Sequence, residues 1–255
     1  MKISIVTVVY NNVLVGEALD SIIAQRMEPG DELEMVVIDG GSTDRTLAIL
    51  DNYRHRLAVC LSEKDGGIYD AMNKGLELST GDIIGTLNSD DLYENDSVLA
   101  NIISAFRENN TDVVYGDLVY VRKENPAKIV RYWNSEVYRD GLFEKGWVPP
   151  HPTFFVRKEI YAKYGRFDLK YRLAADFELM VRFLAKARVK SLYVPKLLIR
   201  MRLGGATNKN IGNVIKGGLE CQRACEANGL SVPIWFIPRR WLSRLPQFFK
   251  RVKSV

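Results

Sequence analysis

Apolar runs and polar interruptions alternate regularly along the first third of the chain. Ile3–Val9 (ISIVTVV) is a nearly unbroken apolar run, as a strand buried on both faces requires. Gly16–Gln25 places Ala18, Leu19, Ile22 and Ile23 at helical spacing. Leu33–Asp39 (LEMVVID) predicts a second strand. GGSTDRTLAILDNY predicts a helix, with Ser42 or Thr43 as its N-cap and Asp44 in its first turn. Leu57–Leu61 predicts a third strand, GGIYDAMNKGLEL a turn into a helix, and DIIGTL a fourth strand. Strands alternating with helices imply βαβ units and an α/β fold with a mostly parallel, Rossmann-like sheet.

Polar residues gather where these strands end: Tyr10-Asn11-Asn12, Asp39-Gly40-Gly41-Ser42, Glu63-Lys64-Asp65 and Asn88-Ser89-Asp90-Asp91. A parallel sheet puts all of them on one edge, where such sheets bind ligands. Adjacent carboxylates repel and are costly at the border of a core. Alone, Asp90-Asp91 reads as an acidic turn before ENDSV. Beside the other strand ends it suits a nucleoside diphosphate with a divalent cation, one carboxylate for the metal and one for a ribose hydroxyl. Asp39 either accepts from a base or ribose, with Gly40-Gly41 admitting the ligand, or starts an Asx turn.

The second half is less regular. Asp96–Asn109 predicts a helix with Val98, Leu99, Ile102, Ile103 and Phe106 on one face. DVVYGDLVYV is a strand or a hairpin. WVPPHPTFFVRKEIYAKYG gives a Pro-rich turn, a strand and a helix, and LAADFELMVRFLAKA a helix that starts near Asp176. Asp176 fits either an N-terminal cap or a general base. His151, between prolines, fits either a structural loop or a contact to diphosphate, acceptor or metal.

Composition narrows the class. A chain of 255 residues with 26% charged positions is globular, and its net charge of +5 favours an anionic partner. Cys60, Cys221 and Cys225 form no disulfide framework, and the two histidines lie far from them in sequence, so no zinc site is expected. Cys221 and Cys225, one helical turn apart, predict shared packing on one helix face. No apolar run reaches the ~18 residues of a membrane span, and the N-terminus lacks a cleavage pattern. A cytoplasmic location is expected, with attachment to the inner face of the membrane open.

Taken in order, SIVTVVYNN, VVIDGGSTDRT, EKDGGIYDAMNKG, LNSDDLY, HPTFF and AADFELMVRF resemble the family 2 glycosyltransferases of GT-A fold, from about Ile3 to about Asn208. EKDGGIYDAMNKG resembles bacterial enzymes that build O-antigen, colanic acid or capsule repeat units. The resemblance implies an inverting transfer from a nucleotide-sugar, a UDP-sugar by family weight, to a sugar acceptor, with a polyprenyl-diphosphate-linked glycan expected. Thr7, Val9 and Tyr10 then match the segment that lines the base, and Asp39 the aspartate that binds it. Glu63, Asp65 and Asn73 fall in the segment closing over the nucleoside. Asp90 would sit near the ribose, Asp91 would ligate Mn²⁺ or Mg²⁺, Asp176 would be the base, and His151 is placed toward the acceptor. Ala175 stands where many members carry Glu, which removes any role for that preceding acid. RLGGATN (Arg202–Asn208) resembles a basic loop over the diphosphate. The expected division is a catalytic domain at 1–208, nucleotide half about 1–95 and acceptor half about 96–208, then a helical basic extension at 209–255.

From Asn228 onward there is no Asp or Glu. PRRWLSRLPQFFKRVK places Trp241, Leu242, Leu245, Phe248, Phe249 and Val252 on one helical arc, with the basic residues mostly opposite. That pattern fits an interfacial helix, split at Pro246, or a terminal helix packed on its own domain or a second subunit. Nucleic acid is not an expected partner. Among rivals, a sugar nucleotidyltransferase needs a basic Gly-rich loop where YNNVLVGEA stands, and G-x-G-x-x-G and P-loop patterns are absent. A non-catalytic sugar- or nucleotide-binding module would differ by leaving donor sugars intact.

Overall fold

The computed structural model of the chain describes residues 1–204, 211–242 and 247. The apolar runs of the first third become β1 (Lys2–Val9), β2 (Glu32–Asp39), β3 (Val59–Ser62) and β4 (Ile83–Thr86). They alternate with α1 (Val15–Ile23), α2 (Thr46–Tyr53) and α3 (Ile68–Leu78). The four strands pair in parallel in the order β3-β2-β1-β4, in register from Val9↔Asp39 to Asp39↔Ser62. Alternation along β1 shows why its run is continuous. Ile3, Ile5 and Val9 enter one buried cluster with α1, while Val6 and Val8 enter another with α3. Helix α3 sits so close that a Cβ on Gly75 would lie 2.3 Å from a Val6 methyl.

The remainder widens the sheet. It supplies β5 (Leu92–Tyr93), α4 (Val98–Glu108), β6 (Val113–Arg122), β7 (Asn125–Trp133), β8 (Phe155–Arg157), α5 (Lys158–Tyr164), α6 (Ala175–Val181), β9 (Ser191–Arg202), α7 (Ile211–Ala227) and α8 (Phe236–Leu242). The sheet runs β3-β2-β1-β4-β8-β6-β9-β5, with β7 beside β6. Strand β8 enters antiparallel to β4 and β6, and β6 pairs with β9 in parallel. DVVYGDLVYV thus opens a hairpin, β6–β7. Cys221 and Cys225 share the buried face of α7, and burial pushes the Cys225 thiol up to about 12.

Two expectations change, and the tail takes one of the arrangements its pattern allowed. The N-cap of α2 is Arg45, not Ser42 or Thr43, and Asp44 precedes the helix. The Ser42 hydroxyl is spent on Asp39, Thr43 N–H donates to Asn11, and Asp44 accepts from Thr46 N–H at 2.9 Å. The helix expected through Ala187 is α6 followed by a π-helical turn, Arg182–Lys186. The Arg182 guanidinium there pairs with Glu178 at 2.8 Å and collects the carbonyls of Tyr164, Gly165 and Arg166. On the tail, α8 packs against its own chain. Phe236 is fully buried and Arg240 nearly so, with Arg240 4.5 Å over the Phe177 ring. Leu242 of the predicted arc faces outward, and Arg239 is exposed beside it. Leu245, Pro246, Phe248, Phe249 and Val252 lie outside the described residues.

Candidate active site

The polar strand ends do converge. Asn11, left-handed at φ 47°, donates its N–H to Ser42 Oγ at 2.8 Å and accepts from Thr43. Asn12 reaches Thr46 through its backbone and Ser89 Oγ through its amide at 3.0 Å. The loops after β1, β2 and β4 are therefore tied into one rim at the carboxyl edge of the sheet.

Not every expected residue points into that rim. Asp39 is fully buried and its carboxylate is saturated: one oxygen accepts from Gly41 N–H, Ser42 N–H and Ser62 Oγ (3.1, 2.9 and 2.7 Å), the other from the Ser42 hydroxyl. Here it forms the Asx turn. Thr7 and Val9 lie inside the sheet, Thr7 with an unpartnered hydroxyl; Tyr10, 63% exposed, is the residue of that segment that opens outward. Glu63 pairs with Lys74 at 2.6 Å, and Asp65 accepts from Gly67 N–H while packing on Gly40. Asn73 is engaged within the fold. Its amide clamps both backbone groups of Phe167, at 2.9 and 3.0 Å, so it joins α3 to the segment before α6.

The paired aspartates divide their work. Asp91, expected to be the metal ligand, is 1% exposed and accepts from Asn88 Nδ2 at 2.8 Å and Arg202 N–H at 3.1 Å. Burial, then the neighbouring Asp90, push its carboxyl up to about 8. Its position anchors the turn to the end of β9. Asp90 is only partly buried, and no described side chain donates to it. Burial raises its carboxyl against the opposing pull of Arg202 and Lys123. Arg202, itself 2% exposed, donates to the Asp90 and Lys123 carbonyls at 2.7 and 3.1 Å and pairs with Glu17 at 2.5 Å. The expected loop beyond it, residues 205–208, lies outside the described residues.

Asp176 is half-buried in the first turn of α6 and does not cap it, since Ala174 is the N-cap. Glu220 of α7 accepts from Leu173 and Ala174 N–H there, at 2.8 and 3.0 Å. Asp176 accepts from the Tyr69 hydroxyl at 2.9 Å. Tyr69 opens α3, just past the end of β3, which places the pair at the carboxyl edge. Burial and Asp176 hold the Tyr69 phenol well above its ordinary range. His151, 9% exposed, stacks edge-on to Phe167 at 5.5 Å. Burial pulls its imidazole down, against the charge of Asp176, so it is neutral at pH 7.

Sequence reasoning missed Tyr69 and Glu220, and named Arg202 only as the start of the loop expected over the diphosphate, not as the support of the acidic turn. Tyr69 stood in the quoted GGIYDAM segment and carried a signal; Glu220 carried none, because its target lies 46 residues away.

Comparison with known proteins decides the family. The model of "Glycosyl transferase family 2" matches residues 4–165, more than half the chain. The chain belongs to that family. A PGL/p-HBAD biosynthesis glycosyltransferase of Mycobacterium bovis (BCG Pasteur) is 34% identical over 196 residues, 74% of this chain and 72% of the relative. Among solved structures, S. aureus TarS 1–349 in complex with UDP-GlcNAc superposes with a TM-score of 0.63 at 18% identity, covering 98% of this chain and 73% of that one. The chain spans 44% of a longer TarS chain. The mannosyltransferase PcManGT of Pyrobaculum calidifontis, in complex with GDP-Man and Mn²⁺, gives 0.64 at 19% identity, covering 95% and 68%. These neighbours bind nucleotide-sugars, and the family 2 chain described here shares their GT-A fold. Among its described residues no cluster of three His, Cys, Asp or Glu side chains suits a metal, and no helix is long and apolar enough to cross a membrane.

Proposed function

We propose that the chain is an inverting, metal-dependent hexosyltransferase that moves a sugar from a UDP-sugar to a polyprenyl-diphosphate-linked glycan. The single observation that carries the reading is Asp176: a partly exposed carboxylate in the first turn of α6 that accepts from the Tyr69 hydroxyl beside the carboxyl edge of the sheet. Asp176 takes the proton of an acceptor hydroxyl. The hydroxyl oxygen bonds to the anomeric carbon on the face opposite the diphosphate, the bond from that carbon to the diphosphate oxygen breaks, and the configuration inverts. Tyr69 holds the base in one orientation, and neutral His151 borders the acceptor side without adding charge.

Asp90 is the carboxylate that would hold Mn²⁺ or Mg²⁺. It is half-buried with no side-chain donor among the described residues, and a single carboxylate plus substrate phosphates suits these hard cations. When bound, such a cation supplies Lewis-acid stabilisation of the departing diphosphate. Asp91 and Arg202 fix the turn that presents Asp90. Tyr10, Glu63 and Asp65 rim the same edge and are left to contact the nucleoside, while Asp39 orders the loop beside it.

The test is binding of UDP, GDP, CDP and dTDP with and without Mn²⁺, on wild type and Asp90→Ala. One nucleotide bound tightly only with Mn²⁺, and lost in the variant, supports the reading. No nucleotide bound under either condition refutes it.

A further inference from the structure

Two helices at the end of the described chain turn an apolar and basic face outward. On α8, Phe236 and Arg240 point inward, while Ile234 just before it is 87% exposed, Trp235 63% and Leu242 62%. Trp235, Pro238, Arg239 and Leu242 follow i, i+3, i+4, i+7, so they form one stripe. Helix α7 carries a matching exposed stripe at Ile215, Lys216, Leu219 and Arg223. The two helices touch where Ile237 lies against Gly218, with Ile237 Cγ2 3.1 Å from where a Gly218 Cβ would be. The stripes therefore flank one contact.

Adjacent exposed Ile and Trp are unusual on a water-facing surface, and tryptophan beside basic residues is the pattern of the lipid interface. The charge decides the occupant. From Asn228 onward the chain has no Asp or Glu, and Arg239, Arg244, Lys250, Arg251 and Lys253 accompany the apolar residues. A second copy of the same face would bring Arg239 and Lys216 against their own like, whereas an anionic headgroup layer complements them.

We propose that Ile234, Trp235, Leu242 and Leu219, with Arg239 and Lys216, dock the protein on an anionic lipid surface. The inner side of the docking helix reaches the site. Arg240 lies over Phe177, the residue after Asp176, so the lipid face stands about one helix diameter, ~10 Å, from the helix that bears the base. A lipid-linked acceptor would then be held beside Asp176. That consequence rests on the transferase reading above; the docking does not, because it is measured without turnover.

The experiment is flotation of the full chain with phosphatidylglycerol/phosphatidylcholine vesicles and with phosphatidylcholine alone. Sedimentation velocity and nucleotide binding are run in parallel. Ile234→Ser/Trp235→Ser removes two exposed side chains and leaves the buried face intact; Arg239→Glu reverses one charge. The expected result is flotation with anionic vesicles only, falling at least about tenfold in each variant, with nucleotide binding unchanged. Variants that float like wild type, or a wild type that ignores anionic vesicles, overturn the proposal. So does a wild-type dimer that the Ser pair dissociates, which would give the face to a second copy. Failure of nucleotide binding with normal flotation would strike the transferase reading alone.

Discussion

Glu34→Gln is the sharpest test of what holds the sheet together at the edge opposite the candidate site. Glu34 on β2 lies beside its register partner Ser4 on β1 and is 5% exposed. Its carboxylate accepts from Ser4 Oγ, Thr80 Oγ1 and Thr80 N–H at 2.5, 2.5 and 2.7 Å, and pairs with Lys2 Nζ at 2.6 Å. Ser4 Oγ in turn accepts from Gly81 N–H at 2.8 Å, so the network ties the turn before β4 to two strands. Burial raises the carboxyl, but Lys2, Ser4 and Thr80 outweigh it and hold it down from 4.5 to about 2. A depression of that size is worth about 3 kcal/mol at neutral pH. Because the folded value is the lower one, the stabilisation is complete above 4.5 and drains away as pH falls toward about 2. The amide cannot pair with Lys2 and presents a donor to groups that are donors themselves. Urea unfolding at pH 7 is expected to show a loss of about 2–3 kcal/mol, with a fall in Tm of about 5–10 °C, and the gap to wild type should close by about 2 kcal/mol by pH 3. A gap that is the same at both pH values, or below about 1 kcal/mol at pH 7, would refute the account.

Asp176→Asn keeps the shape and removes the proton acceptor, so kcat should fall about 10²–10⁴-fold while nucleotide affinity, read by calorimetry, stays within about twofold. Tyr69→Phe deletes the donor that aims Asp176; a loss of roughly tenfold in kcat at unchanged stability is expected, and unchanged kcat would remove Tyr69 from the site. Asp91→Ala strips the acceptors from Asn88 and Arg202 N–H, and should cost about 1–3 kcal/mol in urea titrations, whereas Asp90→Ala should leave stability within about 0.5 kcal/mol. Gly75→Ala drives a Cβ to 2.3 Å from Val6 Cγ1. The expected cost is about 1–3 kcal/mol, seen as a Tm lowered by about 3–10 °C.

The parallel half of the sheet was legible because β1, most of β2 and β4 are buried on both faces and write themselves as apolar runs, and the edge strand β3 still carries the apolar Val59, Cys60 and Leu61. Strand β9 was not read. Pro195 breaks its run, and the pairing skips from Tyr115↔Tyr193 to Asp117↔Leu197 to accommodate it, with Gly116 too close to Leu198 for any side chain. Helix α8 was read as amphipathic, and Leu242 of its apolar arc does face outward; that the opposite side, with Phe236 and Arg240, is buried against the chain depends on tertiary contacts such as Arg240 over Phe177, which spacing does not encode. In the site, residue types at strand ends located the rim, but not which carboxylates stay free. Asp39 takes the Asx turn that was one of its two local readings, whereas Asn73 is held by Phe167, a partner no local pattern encodes.

The adjacent aspartates show how a chain tolerates two carboxylates at the border of its core. The turn is closed by Asp91 N–H on the Asn88 carbonyl at 3.1 Å, and in it one side chain is spent on structure while its neighbour stays open. Asp91 goes inward, where Asn88 and Arg202 N–H satisfy it, and Asp90 remains at the rim under the field of Arg202 and Lys123. Arg202 serves both. Its backbone binds Asp91, and its guanidinium binds the Asp90 carbonyl and Glu17 on α1. The end of β9, the acidic turn and α1 are therefore tied together through Arg202. Fixing Asp91 is thus what allows Asp90 to stay poised instead of collapsing into the core.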